Sequence, residues 1–242
     1  VEDDLEVISS EPSFFQPAEQ VHRPDIEEKI VLIDLFGGVA SVSCALIASD
    51  IEVLQHWHVE IDPAAVKTAK LRHRWNRASG DIKDVCGAKE SFAKEVWSVA
   101  SVEKAARILI TCGFPCRELS KVNQTRRGLR AGDTALFREA KEIHKAVMHH
   151  EDACKHSDIE LSAIYETVFS MTLEMRQVST KELREIDHNM ELVSICSSAT
   201  TLCRRPRLWW TNFHVARLGG ASEAFASDGT RSLWPRPFAT TL

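Results

Sequence analysis

The sequence predicts an α/β fold, in which a doubly wound, mostly parallel sheet carries helices on both faces. From residue 29 onward, short apolar runs alternate with stretches of helical periodicity, and several runs are apolar throughout, as strands buried on both faces are. This alternation is typical of parallel strands joined by crossover helices. With 242 residues, of which 44% are hydrophobic, the chain is long enough to bury a full core.

The first predicted strand is the apolar run 30–36, which Gly37 and Gly38 end. A helix at 40–48 and a second strand at 52–61 follow, and Asp62 with Pro63 supplies an N-cap and a first-turn proline for a helix at 64–76. Further strands are predicted from short apolar or alternating runs at 78–85, 106–111, 159–169, 190–196 and 206–213. Further helices are predicted at 89–104, 134–150 and 172–187.

The sequence divides into three parts by composition. Residues 1–28 are acidic and poor in apolar side chains, so we expect a disordered leader. Residues 29–215 contain the predicted strands and helices and form the expected folded domain, which we interpret as incomplete. Residues 216–242 are rich in Gly, Ala, Ser and Pro and predict an irregular tail. No run approaches the roughly 18 apolar residues of a membrane span, and the acidic start is unlike a secretion signal, so we expect an intracellular protein.

The formal net charge of −5 is distributed unevenly along the chain. Residues 1–30 hold nine acidic and two basic residues, whereas residues 121–150 hold seven basic and three acidic ones, and residues 201–242 hold six and two. Two basic segments suit a surface that faces a polyanion such as nucleic acid, but solvated helix faces give similar counts. Charge alone leaves both interpretations open.

The seven cysteines are odd in number and dispersed, which predicts reduced thiols rather than a disulfide framework. Cys112 and Cys116 are separated by three residues, a spacing that matches neither a redox pair nor half of a zinc site. A group of histidines and one cysteine is spaced too irregularly for a metal site and is interpreted as a solvated helix end: His144, His149, His150, Cys154 and His156. We predict no metal.

Glycines and acidic residues end the predicted parallel strands, where a sheet of this kind binds its ligands. Gly37 and Gly38 follow the first strand, and a glycine turn lets the backbone approach a ligand. Glu60 ends the second strand, where a carboxylate can accept both hydroxyls of a ribose, and Asp81 lies near the end of the third. Taken singly, each acid is an ordinary solvated strand end. Because no G-x-G-x-x-G is present, the series favours a nucleoside without phosphates over a dinucleotide.

Six sequence runs occur in the order found in one family of enzymes. They are Asp34-Leu35-Phe36-Gly37-Gly38, Glu60-Ile61-Asp62, Gly80-Asp81-Ile82, Gly113-Phe114-Pro115-Cys116-Arg117-Glu118-Leu119-Ser120, Tyr165-Glu166-Thr167-Val168 and Arg205-Pro206-Arg207-Leu208-Trp209-Trp210-Thr211-Asn212. Over about residues 30–213 the chain thus resembles the DNA (cytosine-5) methyltransferases, and residues 121–129 are most similar to the de novo animal type. The resemblance implies a Rossmann-like, S-adenosylmethionine-dependent methyltransferase fold, with S-adenosyl-L-methionine as cofactor.

The resemblance also implies roles for individual residues. Cys116 is the expected nucleophile that adds to C6 of a flipped cytosine so that C5 can accept a methyl group, and Glu166 is expected at N3 of the base. Arg205 and Arg207, one residue apart on a strand, are expected to hold the base oxygen and Glu166, and nearby arginines to lower the Cys116 pKa. The expected cofactor-binding residues are Phe36, Gly37, Gly38, Glu60, Ile61, Asp62, Asp81, Ile82 and Pro115. The expected DNA-binding residues are Val122, Asn123, Arg126 and Arg127, with Val122 entering the vacated space.

The chain departs from the family pattern in two places. Thr167 stands where the family has an asparagine that braces the active-site backbone. After residue 213 nothing matches the family's target-recognition region or its C-terminal cofactor segment, so we interpret the sequence as C-terminally truncated. Two alternatives to DNA methylation therefore stay open: a catalytically silent module that binds DNA or pairs with a homologous methyltransferase subunit, and a transfer RNA cytosine-5 methyltransferase. A nuclear location follows from the resemblance alone.

Overall fold

A computed structural model of the chain describes residues 28–72, 76–78, 80–117, 119–120, 128–129, 132–150, 158–196, 205–213, 215, 221–225 and 231–235. The strands in these residues are β1 (Lys29–Leu35), β2 (Glu52–Val59), β3 (Asn76–Ala78), β4 (Arg107–Cys112), β5 (Glu160–Val168), β6 (Glu191–Cys196), β7 (Pro206–Thr211), β8 (Ala221–Phe225) and β9 (Arg231–Pro235). The helices are α1 (Ser41–Ile47), α2 (Pro63–Arg72), α3 (Ile82–Gly87), α4 (Lys89–Val102), α5 (Phe137–Met148) and α6 (Leu173–Arg184), and a 3₁₀ helix (Gly132–Leu136) precedes α5.

All of these strands belong to one sheet, in the order β3-β2-β1-β4-β5-β7-β6-β9-β8. The strands from β3 to β5 are parallel to their neighbours, and β7 inserts antiparallel between β5 and β6. At the far edge, β9 is parallel to β6 and β8 is antiparallel to β9. The chain order of the parallel strands reverses at β1, which is the topology of a doubly wound sheet. The predicted fold class, a Rossmann-like and mostly parallel sheet, is confirmed.

The central strand β1 divides its side chains between two apolar cores. Val31, Ile33 and Leu35 belong to the larger core, to which α3, α4, α5 and α6 contribute. Ile30 and Leu32 belong to a smaller core on the opposite face, where α1 contributes Val42 and Leu46. Since both faces of β1 are covered, its side chains are apolar at nearly every position, and the prediction from a continuous apolar run is explained.

The strand β7 is internal, although a proline within a strand suggests an edge or a bulge. Pro206 is the first residue of β7 and pairs with Cys196 of β6, so the missing N–H falls at the end of the ladder. Just beyond the other end, Asn212 continues the contact with β5 through its side chain. Its Oδ1 accepts a hydrogen bond from Ala163 N (2.8 Å) and its Nδ2 donates to Leu161 O (2.9 Å).

Two secondary-structure predictions are wrong. Residues 82–85, predicted as the end of a strand, lie in helix α3, and the third strand ends already at Ala78. The tail, predicted to be irregular, contains the strands β8 and β9. Pairing between distant segments supplies the hydrogen bonds there, and a composition rich in small residues does not reveal it. The division of the chain at residues 28 and 215 stays a prediction.

Within the described residues, no helix is both long enough and apolar enough to cross a membrane. None of the cysteines described there forms a disulfide: Cys44, Cys86, Cys112, Cys116 and Cys196. No cluster of three or more His, Cys, Asp or Glu side chains in the same part of the chain has the geometry of a metal site.

Candidate active site and ligand cavity

The turn after β1 and the carboxylate after β2 are in direct contact. Glu60 Oε2 accepts a hydrogen bond from Gly38 N (2.9 Å), and Glu60 Oε1 accepts from Ile61 N and Asp62 N (2.8 Å each). A carboxylate offers about four acceptor positions. Three backbone N–H groups therefore orient the Glu60 side chain and leave it room for a further donor.

A cavity of about 440 Å³ lies at the carboxyl ends of the parallel strands. Six of the nine predicted cofactor-binding residues line it: Phe36, Glu60, Ile61, Asp81, Ile82 and Pro115. The lining also includes residues that the sequence analysis did not select: Val59, Gly80, Lys83, Gly113 and Leu136. Gly80 and Gly113 are themselves the first residues of two quoted runs, which was a usable signal, whereas nothing in the sequence marks Leu136. The volume lies within the usual range for small-molecule sites.

The other three predicted residues do not line the cavity but stabilise the turn and the helix start beside it. Gly37 and Gly38 form the turn after β1, where Gly38 donates to Glu60. Asp62 is the N-cap of α2, since its Oδ1 accepts from Ala64 N (2.7 Å) and Ala65 N (3.1 Å). The N-cap prediction for Asp62 is confirmed. As a helix cap, Asp62 has a structural role, and its assignment to the cofactor stays a prediction.

Asp81 lines the cavity as the N-cap of α3 rather than as a strand end. Its Oδ1 accepts a hydrogen bond from Lys83 N (2.9 Å), which satisfies one of the free donors at the start of the helix. The preceding Gly80 has φ 71°, in the left-handed region that favours glycine. The carboxylate is thus fixed by a glycine turn and a cap.

The backbone on the β1 side of the cavity adopts strained conformations. Phe36 and Ala40 both have φ 60°, and Gly38, between them, has φ 55°. Left-handed backbone at residues other than glycine costs about 1 kcal/mol or more and is concentrated at functional sites. The turn is therefore maintained by its surroundings, and it has the character of a ligand-binding turn.

The predicted catalytic residues come from three adjacent strands. Cys116 follows β4, Glu166 lies in β5 and Arg207 lies in β7, while Arg205 directly precedes β7. Arg207 Nε is 2.6 Å from Glu166 Oε1, a charge-assisted contact. Arg207 pairs with Val168 in the β5–β7 ladder, so the register itself brings its guanidinium to the end of β5. The predicted pairing of an arginine with Glu166 is found.

Burial raises the pKa of the Cys116 thiol, and the negative charge of Glu166 raises it further, whereas Arg207 and Arg205 act in the opposite direction. The expected lowering by nearby arginines is found for Arg207 and Arg205, but burial and Glu166 outweigh it, so the Cys116 pKa is raised. Cys116 also begins a single helical turn, since its carbonyl oxygen accepts from Leu119 N (3.0 Å) and Ser120 N (3.1 Å).

Burial also raises the pKa of Glu166, although Arg207 and Arg205 oppose this effect. A carboxyl group with a raised pKa binds a proton more readily near neutral pH than an exposed one. Such a group can donate a proton or a hydrogen bond to a substrate. This is the behaviour that the predicted role at N3 of a base requires.

Thr167 does not brace its surroundings as the family's asparagine is expected to. Its side chain is fully buried, and within the described residues its Oγ1 has no hydrogen-bond partner. A buried hydroxyl without a partner costs free energy, and it leaves the adjoining backbone without the extra hydrogen bond of an amide.

A buried polar cluster beneath the β1 turn was missed by the sequence analysis. Thr111 Oγ1 donates to Asp34 Oδ1 (2.7 Å), and His56 Nε2 lies 3.6 Å from Asp34 Oδ2. His58 Nε2 contacts Gly38 O at 2.9 Å. The two histidines alternate along β2 and so point to one face, which was a signal in the sequence, but only the β1–β2 register shows that this face meets Asp34.

The predicted DNA-binding residues, Val122, Asn123, Arg126 and Arg127, lie outside the described residues. The end of that loop is described at Gly128, whose Cα packs against α6. Its φ of 85° lies in the left-handed region that favours glycine, and a Cβ there would lie 2.9 Å from the Met175 methyl group, the end of a flexible side chain. A second cavity, of about 460 Å³, runs along α6 and is lined by none of the predicted site residues.

The fold and the site together define the class of this protein: a Rossmann-like α/β protein with a ligand cavity at its strand ends and a thiol, carboxyl and guanidinium group beside it. No family model and no curated protein matches the chain. Solved structures similar to it include a mutant of DNMT2 from Spodoptera frugiperda, which is 17% identical with a TM-score of 0.48 and covers 76% of this chain and 49% of that one.

A second DNMT2 methyltransferase, from S. pombe, is 13% identical with a TM-score of 0.43 and covers 78% of this chain and 51% of that one. A precorrin-6y C5,15-methyltransferase from Geobacter metallireducens is 13% identical with a TM-score of 0.40 and covers 79% and 83% of the two chains. This chain thus spans about half the length of the two DNMT2 chains, 49% and 51%. At these identities and TM-scores the likenesses add nothing to the fold that the strand order establishes.

Proposed function

We propose that this chain is the catalytic part of an S-adenosylmethionine-dependent methyltransferase that acts on C5 of cytosine in DNA. One observation carries the proposal: Cys116, Glu166 and Arg207 meet at the ends of β4, β5 and β7, next to the cavity. Pro115, which lines the cavity, is bonded directly to Cys116. A methyl donor in the cavity and a base over the thiol would thus be neighbours.

The residues around the cavity fit S-adenosylmethionine. Glu60 is held by three backbone N–H groups and retains an acceptor position for a ribose hydroxyl. Phe36, Ile61 and Pro115 provide apolar walls for an adenine ring, and Asp81 provides a carboxylate beside them. When bound there, the cofactor would supply an electrophilic methyl group.

The protein's own groups would prepare C5 of the base to accept that methyl group. The Cys116 thiolate adds to C6, which leaves C5 electron-rich. Once C5 carries the methyl group, loss of the C5 proton to solvent breaks the bond between Cys116 and C6 and releases the thiolate. Glu166, with its raised pKa, shares or donates a proton at N3 and so offsets the charge that develops on the ring. Arg207 holds the Glu166 carboxyl group in place through the contact at 2.6 Å.

The experiment is to incubate the chain with S-adenosylmethionine and a duplex DNA that contains 5-fluorocytosine, and to look for a protein–DNA species on a denaturing gel. Fluorine at C5 prevents release of the enzyme, so a covalent adduct accumulates. We expect the wild-type chain and Cys44→Ser to form the adduct, and Cys116→Ser to form none. Cys44 is the matched control because it also forms no disulfide but is not one of the three residues, Cys116, Glu166 and Arg207, that carry the proposal.

The main rival is a catalytically silent module that binds DNA or pairs with a homologous methyltransferase subunit. One observation favours it: the buried Thr167 hydroxyl without a partner among the described residues. Absence of an adduct with DNA and with a matched RNA, together with measurable DNA binding, would select this rival. An adduct with the RNA alone would instead select a transfer RNA substrate. We further propose a nuclear location, which imaging of a tagged chain tests.

A further inference from the structure

The β1 turn is attached to the end of β2 by a buried histidine. His58 Nε2 lies 2.9 Å from Gly38 O, and its side chain has no solvent exposure. Because a carbonyl oxygen only accepts hydrogen bonds, Nε2 must carry the proton and donate it. In the neutral ring Nδ1 then has a lone pair, and within the described residues Nδ1 has no partner.

The same ring leaves no space for a side chain at the neighbouring residue of the turn. A Cβ on Gly37 would lie 2.4 Å from His58 Cδ2 and 2.6 Å from Asp34 Oδ2. Both distances are far below van der Waals contact, and both atoms belong to buried side chains. His58 therefore packs directly under the turn as well as bonding to it.

Both backbone polar groups of Gly38 are consequently hydrogen-bonded to side chains at the end of β2. His58 donates to its carbonyl oxygen, and Glu60, two residues further on, accepts from its N–H. Glu60 is the residue that would bind a ribose, and Phe36 of the same turn lines the cavity. Any change at His58 therefore moves the wall of the cavity and the donor that orients Glu60.

We propose that His58 is a positioning residue of the cavity, and that the turn is correctly shaped for an adenosyl ligand only while His58 is neutral. The proposal rests on the proposed function for the identity of the ligand, but the effect of His58 on the turn does not. Acidification over the range in which His58 gains a proton would therefore weaken ligand binding.

The surroundings of His58 support this direction. Burial lowers its pKa, and neighbouring His56 lowers it too, whereas Asp34, the Gly38 carbonyl and Glu60 raise it; burial dominates. His58 is therefore neutral at pH 7. Protonation adds a donor at Nδ1, where the neutral ring has no partner, so the charged ring is less well accommodated than the neutral one.

The turn itself is tested by NMR on protein labelled with ¹⁵N-glycine, without any ligand. The chain has 10 glycines, so the Gly38 amide can be assigned by comparison with variants. As the pH is lowered stepwise from 7.5 through the range below 6.5, where His58 gains its proton, we expect the Gly38 amide signal of the wild type to shift. In His58→Gln, whose Nε2 reaches a similar position without titrating, the signal should stay constant. A Gly38 amide that does not respond to pH in the wild type, or that titrates equally in His58→Gln, overturns the proposal.

Ligand binding is tested by calorimetry with S-adenosylhomocysteine as the probe. The affinity of the wild type should fall as the pH is lowered from 7.5 through the range below 6.5, whereas that of His58→Gln should stay nearly constant. His58→Leu should bind about tenfold more weakly than the wild type at pH 7.5. Gly37→Ala should also weaken binding, whereas Gly87→Ala, at a position where a Cβ meets nothing within 4 Å, is its control.

The two proposals fail in different ways. If the wild type binds no S-adenosylhomocysteine but its Gly38 amide responds as expected, the cofactor assignment fails and the role of His58 stands. If the wild type binds with an affinity independent of pH, and His58→Leu binds equally well, the role of His58 is refuted and the cofactor assignment stands.

Discussion

The Cys116 thiol is subject to charges of both signs, and this determines how its reactivity should respond to mutation. Glu166 raises its pKa, whereas Arg207 and Arg205 lower it. We expect Glu166→Gln to lower the Cys116 pKa and Arg207→Met to raise it. At pH 8, alkylation of Cys116 by iodoacetamide should therefore be faster in Glu166→Gln and slower in Arg207→Met than in the wild type, because the thiolate is the reactive form. Peptide mapping by mass spectrometry measures the rate at this one residue.

Two controls separate charge from packing in that experiment. Arg207→Lys keeps the positive charge, so its Cys116 alkylation rate should stay close to that of the wild type. The alkylation rate of Cys86 should be unchanged in all variants, because neither Glu166 nor Arg207 is among the charges that shift the Cys86 pKa. Rates that change in the same direction in Glu166→Gln and Arg207→Met would show that exposure, rather than charge, controls the thiol.

Individual site residues could be predicted where the chemistry lies at the end of a strand. Glu60 and Pro115 follow apolar runs in the sequence, and both line one cavity. Asp81 lines the same cavity, but as the N-cap of α3. His58 could not be predicted in the same way, because its partner Gly38 is 20 residues away and the contact depends on the β1–β2 register. The direction of the Cys116 pKa shift could not be predicted from the sequence either, since it depends on the balance between burial and three charges.

Helix α5 is attached to β5 by a buried polar contact that should make the fold sensitive to acid. His144 of α5 is fully buried, and its Nδ1 lies 3.1 Å from the Tyr165 hydroxyl. Burial, aided by His149 and opposed by Asp187, lowers the pKa of His144 to about 4. An unfolded histidine binds a proton near pH 6.5, so as the pH falls below that value the unfolded state gains protons that the folded state does not.

The free energy of unfolding should therefore fall by about 2 kcal/mol between pH 7 and pH 5 through this one residue. His144→Asn keeps a polar group near Nδ1 and removes the titration, so it should be less stable than the wild type at pH 7.5 but lose less stability on acidification. Urea denaturation at pH 7.5, 6 and 5 measures both effects. His188→Asn, at an exposed position, is the control and should follow the wild type. Parallel pH curves for the wild type and His144→Asn would contradict the prediction.

Elements with a strong local signal were predicted, and elements that depend on distant partners were not. The strand β1 is apolar at nearly every position, and α2 begins with a cap and a proline, so both are encoded within a few residues. In contrast, residues 82–85 are short and apolar enough to fit a strand or a helix, and Asp81 decides for the helix by capping it. Pro206 suggested an edge, but at the first position of a strand it is compatible with an internal place.

At the scale of the whole molecule, the parallel character of the sheet was visible in the sequence and the order of its strands was not. Alternating strands and helices predict crossovers between parallel strands. No local sequence pattern indicates that β7 inserts between β5 and β6, or that β9 and β8 are added beyond β6. The position of β7 is what brings Arg207 to Glu166. The proposed catalytic group of Cys116, Glu166 and Arg207 thus depends on the topology as much as on the motifs.

The same topology implies that the last two strands are peripheral. β9 pairs with β6 over three residue pairs, and β8 pairs with β9. We expect a chain that ends at residue 215 to unfold cooperatively in urea, with a free energy of unfolding lower by about 2–3 kcal/mol, the net value of a few backbone hydrogen bonds. A chain that ends at residue 235, just beyond β9, is the control and should match the full chain.

Removal of β9 also exposes the edge of β6, and an uncovered edge strand pairs readily with another copy. The chain that ends at residue 215 should therefore associate as its concentration rises, which light scattering after size exclusion detects. A lysine in the exposed edge strand, Ile195→Lys, should suppress this association, because charge on an edge opposes pairing. A shortened chain with no cooperative transition would show instead that β8 and β9 are integral to the fold, and a shortened chain that stays monomeric at high concentration would show that the β6 edge is protected by other means.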